Sequence, residues 1–216
     1  MPGENIDTLI IGGGIIGLLT ARELALAGQS VTVLERNPRA GLESSWAGGG
    51  ILSPLYPWRY PDAVTDLSAI GHLEYPRLAA ELLEATGIDP EYIRSGHLIL
   101  DTEEQSQAKS WAKQFSKKIK LDGKIKYLSR IGRKEISVLE PELSENFRTA
   151  LWLPYVGQVR NPRLMKSLIQ DVIQRGVRII TDMPVEKINT SAGKVVNVET
   201  REGKWSAGNY LVAAGA

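Results

Sequence analysis

Apolar positions fall into short β-branched runs separated by stretches of helical period. Residues Thr8–Ile11 form the first run and end in glycines, which predicts a buried strand. Residues 15–27 carry a helical pattern with Ile16, Leu19, Leu24 and Ala27 among its apolar positions and Gly28 as its stop. Residues Val31–Leu34 form a second buried strand, so the chain opens with a strand–helix–strand unit and a parallel pairing. Residues 41–61 are rich in glycine, serine, proline and aromatics and hold no sustained period. A loop of that length within a folded domain is usually functional.

The period returns over residues 63–86, closed by Gly87, with Pro76 predicted to kink or divide the helix. Residues His97–Leu100 predict a strand, and Ala108, Trp111, Ala112, Phe115 and Ile119 share one helical face. Residues 150–153 predict another strand. Asn161 has the chemistry of an N-cap, Pro162 of a first helical residue and Gly176 of a stop, with Leu164, Leu168, Val172 and Ile173 as the buried face. Strands are expected at residues 177–181, 185–188, 195–200, around Trp205 and at 210–213, the middle ones as an antiparallel meander. The first strand should sit centrally in a parallel sheet between residues 31–34 and 210–213, with 177–181 beyond the second strand. Residues 89–150 should belong to a second layer.

Composition narrows the function classes. The 216 residues carry 26 Lys plus Arg and 25 Asp plus Glu, a net charge of +1, which argues against a partner held by bulk charge. Ten basic residues and one acid, Asp122, lie between Lys109 and Lys134, but no aromatic platform is interleaved with the charges. The run is therefore the solvated side of a helix and the hairpin after it rather than a nucleic-acid site. Cys is absent, which excludes disulfides, thiolate metal sites and a cysteine nucleophile. Only His72 and His97 are present, and neither has an acid or nucleophile near it in sequence, so both read as structural and no metal site is expected. No basic leader precedes the apolar stretch at residues 9–19, and no run approaches the ~18 apolar residues of a membrane span. A cytoplasmic location and no membrane partner are expected.

The chemistry lies in Gly12-x-Gly14-x-x-Gly17, between the first strand and the first helix. Gly12 permits the tight turn, Gly14 lets a pyrophosphate approach the backbone, and Gly17 allows close helix–strand packing. The helix start then offers free amides to phosphate. Glu35 ends the second strand, where a carboxylate accepts both hydroxyls of an adenosine ribose and repels a 2′-phosphate. This predicts a dinucleotide site and leaves NAD and FAD both open. The loop Glu43-Ser44-Ser45-Trp46-Ala47-Gly48-Gly49-Gly50-Ile51 favours FAD, since two hydroxyls and three glycines suit a further bulky polar ligand part.

On residues 10–17, the Glu35-Arg36 pair, residues 43–58, residues 159–164 and the closing Ala213-Ala214-Gly215-Ala216, the sequence resembles the D-amino-acid oxidase superfamily of FAD enzymes, and within it the glycine oxidase branch of thiamine biosynthesis. The resemblance implies an α/β fold: a Rossmann-like FAD-binding parallel sheet with an antiparallel meander, plus part of a mixed-sheet substrate domain. It implies FAD-binding segments at 1–88 and 151–216 and a partial substrate domain at 89–150. Ile15 and Ile16 would lend the helix start to the pyrophosphate, Glu35 would hold the ribose, and Arg36 would lie beside the adenine. Ser44 and Ser45 would hold phosphate or ribityl oxygens. The backbone of Gly49, Gly50 and Ile51 would lie against the isoalloxazine, Val185 would meet the adenine, and Gly215 would close the cofactor site. Ala47 stands where covalently flavinylated relatives have histidine, which implies non-covalent FAD.

The implied reaction oxidises the amine of glycine or another small amino acid. Hydride goes to the flavin, the imine is hydrolysed, and O2 is reduced to H2O2. Other D-amino-acid or sarcosine oxidases or dehydrogenases of the superfamily remain alternatives, and outside it an NAD-dependent dehydrogenase or a non-catalytic nucleotide-binding module. Substrate-anchoring residues of the family lie in a C-terminal half, so this chain is expected to be an N-terminal portion, inactive alone, and no catalytic residue is assigned. The family also implies homo-oligomers. Trp46, Tyr56, Trp58 and Tyr60 are expected to pack a domain junction rather than to gate a substrate.

Overall fold

The structure is a computed structural model that describes residues 5–100, 103–122 and 126–215. In chain order, β1 (Thr8–Ile11), α1 (Ile15–Leu26), β2 (Val31–Leu34) and the short α2 (Ser44–Ala47) lead to a 3-10 turn at Pro57–Arg59. Then come α3 (Asp62–Thr86), β3 (His97–Leu100), α4 (Gln105–Lys118), β4 (Ser129–Gly132), α5 (Arg133–Leu139) and β5 (Thr149–Leu153). The chain continues through α6 (Asn161–Gln174), β6 (Arg178–Ile180), β7 (Lys187–Ser191), β8 (Lys194–Thr200), β9 (Gly203–Trp205) and β10 (Asn209–Val212). Among the described residues, no helix is long and apolar enough to cross a membrane.

The chain forms two compact units. The first comprises residues Met1–Gly49, Glu81–Pro90 and Asn161–Ala216, and the second Gly50–Ala80 and Glu91–Arg160. Residues 50–80 and 151–160, grouped with the nucleotide-binding segments in the sequence, thus fall in the second unit. Their side chains account for this: Ala69, Leu151, Leu153 and Val156 belong to one core with Trp111 and Phe115.

In the first unit, four parallel strands run in the order β10-β1-β2-β6. Leu9, Ile10, Val33 and Leu34 are buried, as the apolar runs require. The meander β7-β8-β9 is antiparallel, and Val198 and Trp205 join Leu9 and Leu34 in one core. Helix α1 buries Gly17, Leu18, Ala21 and Arg22, whereas Ile16 is exposed. The buried face is therefore rotated from the apolar positions, because it is built of small residues and one paired cation. Arg22 donates from Nε to Asp171 Oδ2 at 2.9 Å and from Nη2 to Glu81 Oε2 at 2.7 Å, and Arg175 also donates to Asp171, at 2.8 Å. Helix α6 buries Leu164, Leu168 and Val172 but leaves Ile173 exposed, and it starts at Asn161, one residue before Pro162.

In the second unit, β3-β5-β4 form an antiparallel sheet. The predicted face of α4, Ala108, Trp111, Ala112 and Phe115, is buried, with Ile119 beyond it. Trp111 stacks on Phe115 at 4.9 Å, Tyr127 lies 4.8 Å from Phe115, and His72 meets Phe115 and Tyr127 edge-on. Tyr56 and Trp58 pack against this core, whereas Trp46 and Tyr60 are exposed. After α4, the chain forms β4 and α5 in place of the expected hairpin, and β4 pairs with β5. Lys124, within the basic run, lies outside the described residues. Helix α3 begins in the second unit, ends in the first, and passes through Pro76 as one 25-residue helix. The proline removes the bond to the carbonyl of His72, one break that a helix of this length tolerates.

Candidate dinucleotide cleft

Strand β1 delivers the chain to a glycine turn. Gly12 has φ of +108°, and a Cβ there would lie 2.3 Å from the Ala213 carbonyl oxygen at the end of β10. A Cβ on Gly17 would lie 2.1 Å from the Gly12 carbonyl oxygen, so Gly17 packs the helix on the turn beneath the cleft rather than lining it. Gly14 differs from both. Its backbone is extended, with φ −76° and ψ 179°, and a Cβ would meet only Ser45 Oγ, at 3.2 Å. Gly12 and Gly17 are demanded by the fold; Gly14 leaves space open.

Around this turn lies a cleft of about 700 Å³, confined to the first unit, a volume usual for small-molecule sites. Of the residues singled out in the sequence, Gly12, Gly14, Ile15, Ile16, Glu35, Arg36, Ser44, Ser45, Val185 and Gly215 line it. It opens at the C-terminal ends of β1, β2, β6 and β10, where ligands of parallel sheets bind.

Glu35 is buried at the end of β2 and faces the glycine turn. Its Oε2 accepts from the Gly13 N–H and its Oε1 from the Asn37 N–H, both at 2.8 Å. Each carboxylate oxygen keeps further lone pairs for a ligand hydroxyl. Ser45 Oγ accepts from the Ile15 N–H at 2.9 Å, which caps α1, since Gly14 has no side chain for that task. The serine keeps its own hydroxyl proton to donate. Ile15 therefore reaches a ligand through Ser45.

Arg36 Nη2 donates to both oxygens of Glu43 at 2.7 Å, and Asn37 Nδ2 donates to Oε1 at 3.2 Å. The Arg36 hydrogen bond, then that from Asn37, holds the Glu43 carboxyl below its usual range, and the same pairing raises Arg36. Arg36 is the one cation among the lining residues.

Gly49 does not line this cleft, and Gly50 and Ile51 belong to the second unit. There the Gly50 carbonyl accepts from the Val159 N–H at 2.9 Å and Ile51 bridges Gln158. Ala216, last of the residues in the closing motif, lies outside the described residues.

Asn37, Leu42, Met183, Pro184 and Asn161 also line the cleft without having been singled out as ligand residues. The 182–185 segment follows β6 and is stapled to the end of β2, with Met183 N–H donating to the Glu35 carbonyl at 2.8 Å and Asp182 N–H to that of Asn37 at 3.0 Å. Its position after a parallel strand was the available signal. Among the described residues, no group of His, Asp and Glu is arranged to hold a metal ion.

Residues 7–216 match the profile of the family described as FAD dependent oxidoreductase. The chain is 40% identical over 209 residues to the glycine oxidase of Pseudomonas aeruginosa, covering 96% of this chain and 55% of that protein. It is 30% identical over 210 residues to the bifunctional protein ThiO/ThiG of Trichormus variabilis, covering 97% of this chain and 31% of the relative. The crystal structure of glycine oxidase from Geobacillus kaustophilus superposes with a TM-score of 0.82 at 27% identity, covering 98% of this chain and 56% of that one. The chain spans about half the length of the glycine oxidases it matches.

Proposed function

Because the chain belongs to the FAD-dependent oxidoreductase family, we propose that its cleft holds the adenosine diphosphate half of a non-covalent FAD. We propose further that it serves an enzyme oxidising the amine of glycine or another small amino acid with O2 as acceptor, in thiamine biosynthesis. The glycine oxidase and ThiO/ThiG relatives support that reading. The observation that carries the cofactor part is Glu35: a buried carboxylate at the end of β2, hydrogen-bonded across to the glycine turn beside an open cleft.

In this reading Glu35 accepts the ribose hydroxyls, and Arg36 and Val185 border the adenine. Gly12 shapes the turn, and Gly14 leaves the diphosphate room. The first turn of α1, at Ile15 and Ile16, faces its negative charge with the positive end of the helix dipole. Ser44 and Ser45 donate hydroxyl protons to phosphate or ribityl oxygens, and Gly215 lets the chain pass close to the ligand. The assignment of Gly49, Gly50 and Ile51 to the isoalloxazine rests on the family resemblance alone. Residues 1–88 and 151–216 would be the FAD-binding segments and 89–150 the substrate-side part.

Bound in this cleft, FAD would supply the two-electron acceptor that oxidation of the amine requires. The protein's share is to bind, orient and exclude water; the cleft needs no side-chain base for that. The test has two arms. A titration with FAD should show saturable, one-to-one flavin binding, and its absence overturns the cofactor assignment. Peroxide release is then followed with glycine, sarcosine and D-alanine in turn in the FAD-loaded protein at the full length of its glycine oxidase relatives, since the 216-residue chain is expected to be inactive alone. Release with at least one supports the oxidase reading, and silence with all three contradicts it.

A further inference from the structure

Helix α2 has four residues, buries none of them and lies against α6, so its own length does little to fix its place. Its position is set at its two ends. At its start, the Glu43 carbonyl accepts from the N–H groups of Trp46 and Ala47, at 2.9 and 3.1 Å. The Glu43 side chain is at the same time gripped from the end of β2 by Arg36 and Asn37. At its far end, Gly48 lies so close to Asn161 that a Cβ would come within 2.3 Å of Asn161 Nδ2. Between these two fixed points stands Ser45, on the first amide of α1.

We propose that Glu43 is a positioning residue for the cofactor diphosphate: held by Arg36 and Asn37, it sets α2 so that the Ser45 hydroxyl rests on the Ile15 amide with its proton free to donate. The inference rests on the reading that this cleft binds FAD. Glu43 touches no phosphate itself. It links the end of β2, where the ribose carboxylate Glu35 sits, to the start of α1 through one short helix. Arg36, the cleft's one lining cation, is occupied in this grip, so the diphosphate is met by hydroxyl and backbone donors. The Arg36–Glu43 pair is exposed, and exposed pairs contribute little to global stability. Its removal should therefore appear in ligand affinity rather than in folding.

The experiment titrates the 216-residue apoprotein with FAD and, separately, with ADP, which carries the diphosphate without the flavin. Thermal midpoints are recorded alongside. Glu43→Ala should weaken both ligands by roughly fivefold with an unchanged midpoint. Glu43→Gln keeps an amide oxygen for Asn37 and Arg36 and should stay within about twofold of the natural protein. Ser45→Ala should cost about tenfold, the value of one lost hydrogen bond at the ligand. The double variant Glu43→Ala/Ser45→Ala should bind no more weakly than Ser45→Ala alone, because Glu43 acts through Ser45. Unchanged affinity in Glu43→Ala overturns the proposal. So do losses that multiply in the double variant, or a midpoint that falls in step with affinity. If the natural protein binds neither FAD nor ADP, the cofactor reading itself falls, and this inference with it.

Discussion

The glycine cleft of the first unit and the aromatic core of the second solve opposite problems. In the core, Trp111, Phe115 and Tyr127 fill space with their side chains, and the Trp111 indole N–H donates to Thr65 Oγ1 at 3.3 Å. In the cleft, space is created by missing side chains, and hydroxyls, amides and a carboxylate surround an opening. The first arrangement leaves little for a ligand to do; the second is completed by one. Sequence conservatism of residue type would thus mean different things in the two regions: volume in the core, and its absence in the cleft.

Substitutions can break this contrast, beginning with the largest effect. Gly12→Val forces a branched side chain onto a positive φ and into the Ala213 carbonyl, and should cost more than about 4 kcal/mol by urea denaturation. Phe115→Ala should cost about 3–5 kcal/mol through the cavity it leaves. Asp171→Ala removes the buried acceptor shared by Arg22 and Arg175, leaving Arg22 its bonds to Glu81 and Glu23, and should cost about 1.5–3 kcal/mol in the first unit, where charge pairing does what aromatic packing does in the second. Glu35→Gln leaves one of the Gly13 and Asn37 N–H groups without its acceptor, so it should cost about 1–3 kcal/mol by urea denaturation and weaken FAD by about 10- to 100-fold, as the proposed ribose contact requires.

The smallest effect is one of pH. Burial among Phe115 and Tyr127, and secondarily the charge of Arg94, lowers the His72 pKa from its ordinary 6.5. The folded state thus prefers the neutral ring, so its contribution is complete above the unfolded value and is lost as pH falls through the lower folded value. Burial lowers His97 likewise. Urea midpoints should decline as pH falls below the ordinary histidine value of 6.5, and His72→Gln should flatten that slope. An equal slope in the variant would remove His72 from the account.

Much of the first unit was legible because its signals are local. Two β-branched runs, a glycine turn and an acid after the second run suffice for β1, α1, β2 and the place of Glu35. The expected order of the parallel strands is the one observed, although no local pattern carries it. What misled was phase and context. Ile16 and Ile173 are apolar but exposed, whereas Arg22 is charged and buried, because an ion pair with Asp171 and Glu81 outweighs residue polarity. Strand β4 and helix α5 carry short, mixed patterns whose structure depends on pairing with β5, a contact no local window contains. Pro76 stands within an unbroken helix for a similar reason: 25 residues of helix outvote one missing bond. The cleft residues Met183 and Pro184 come from a segment whose only signal is its place after β6. Helix α2 is legible as a loop and no more, since four residues hold no period.

The central claim is that the cleft beside Gly14 is shaped for a bound FAD rather than for the fold, and Gly14→Ala tests it most directly. Its extended backbone accepts any residue, and the added methyl meets only Ser45 Oγ. Thermal unfolding and FAD titration of the two proteins, side by side, separate the two demands. The account predicts a thermal midpoint close to that of the natural protein and an FAD affinity lower by at least about tenfold, the loss of a charge-assisted diphosphate contact. Equal FAD affinity in the variant and the natural protein would contradict it.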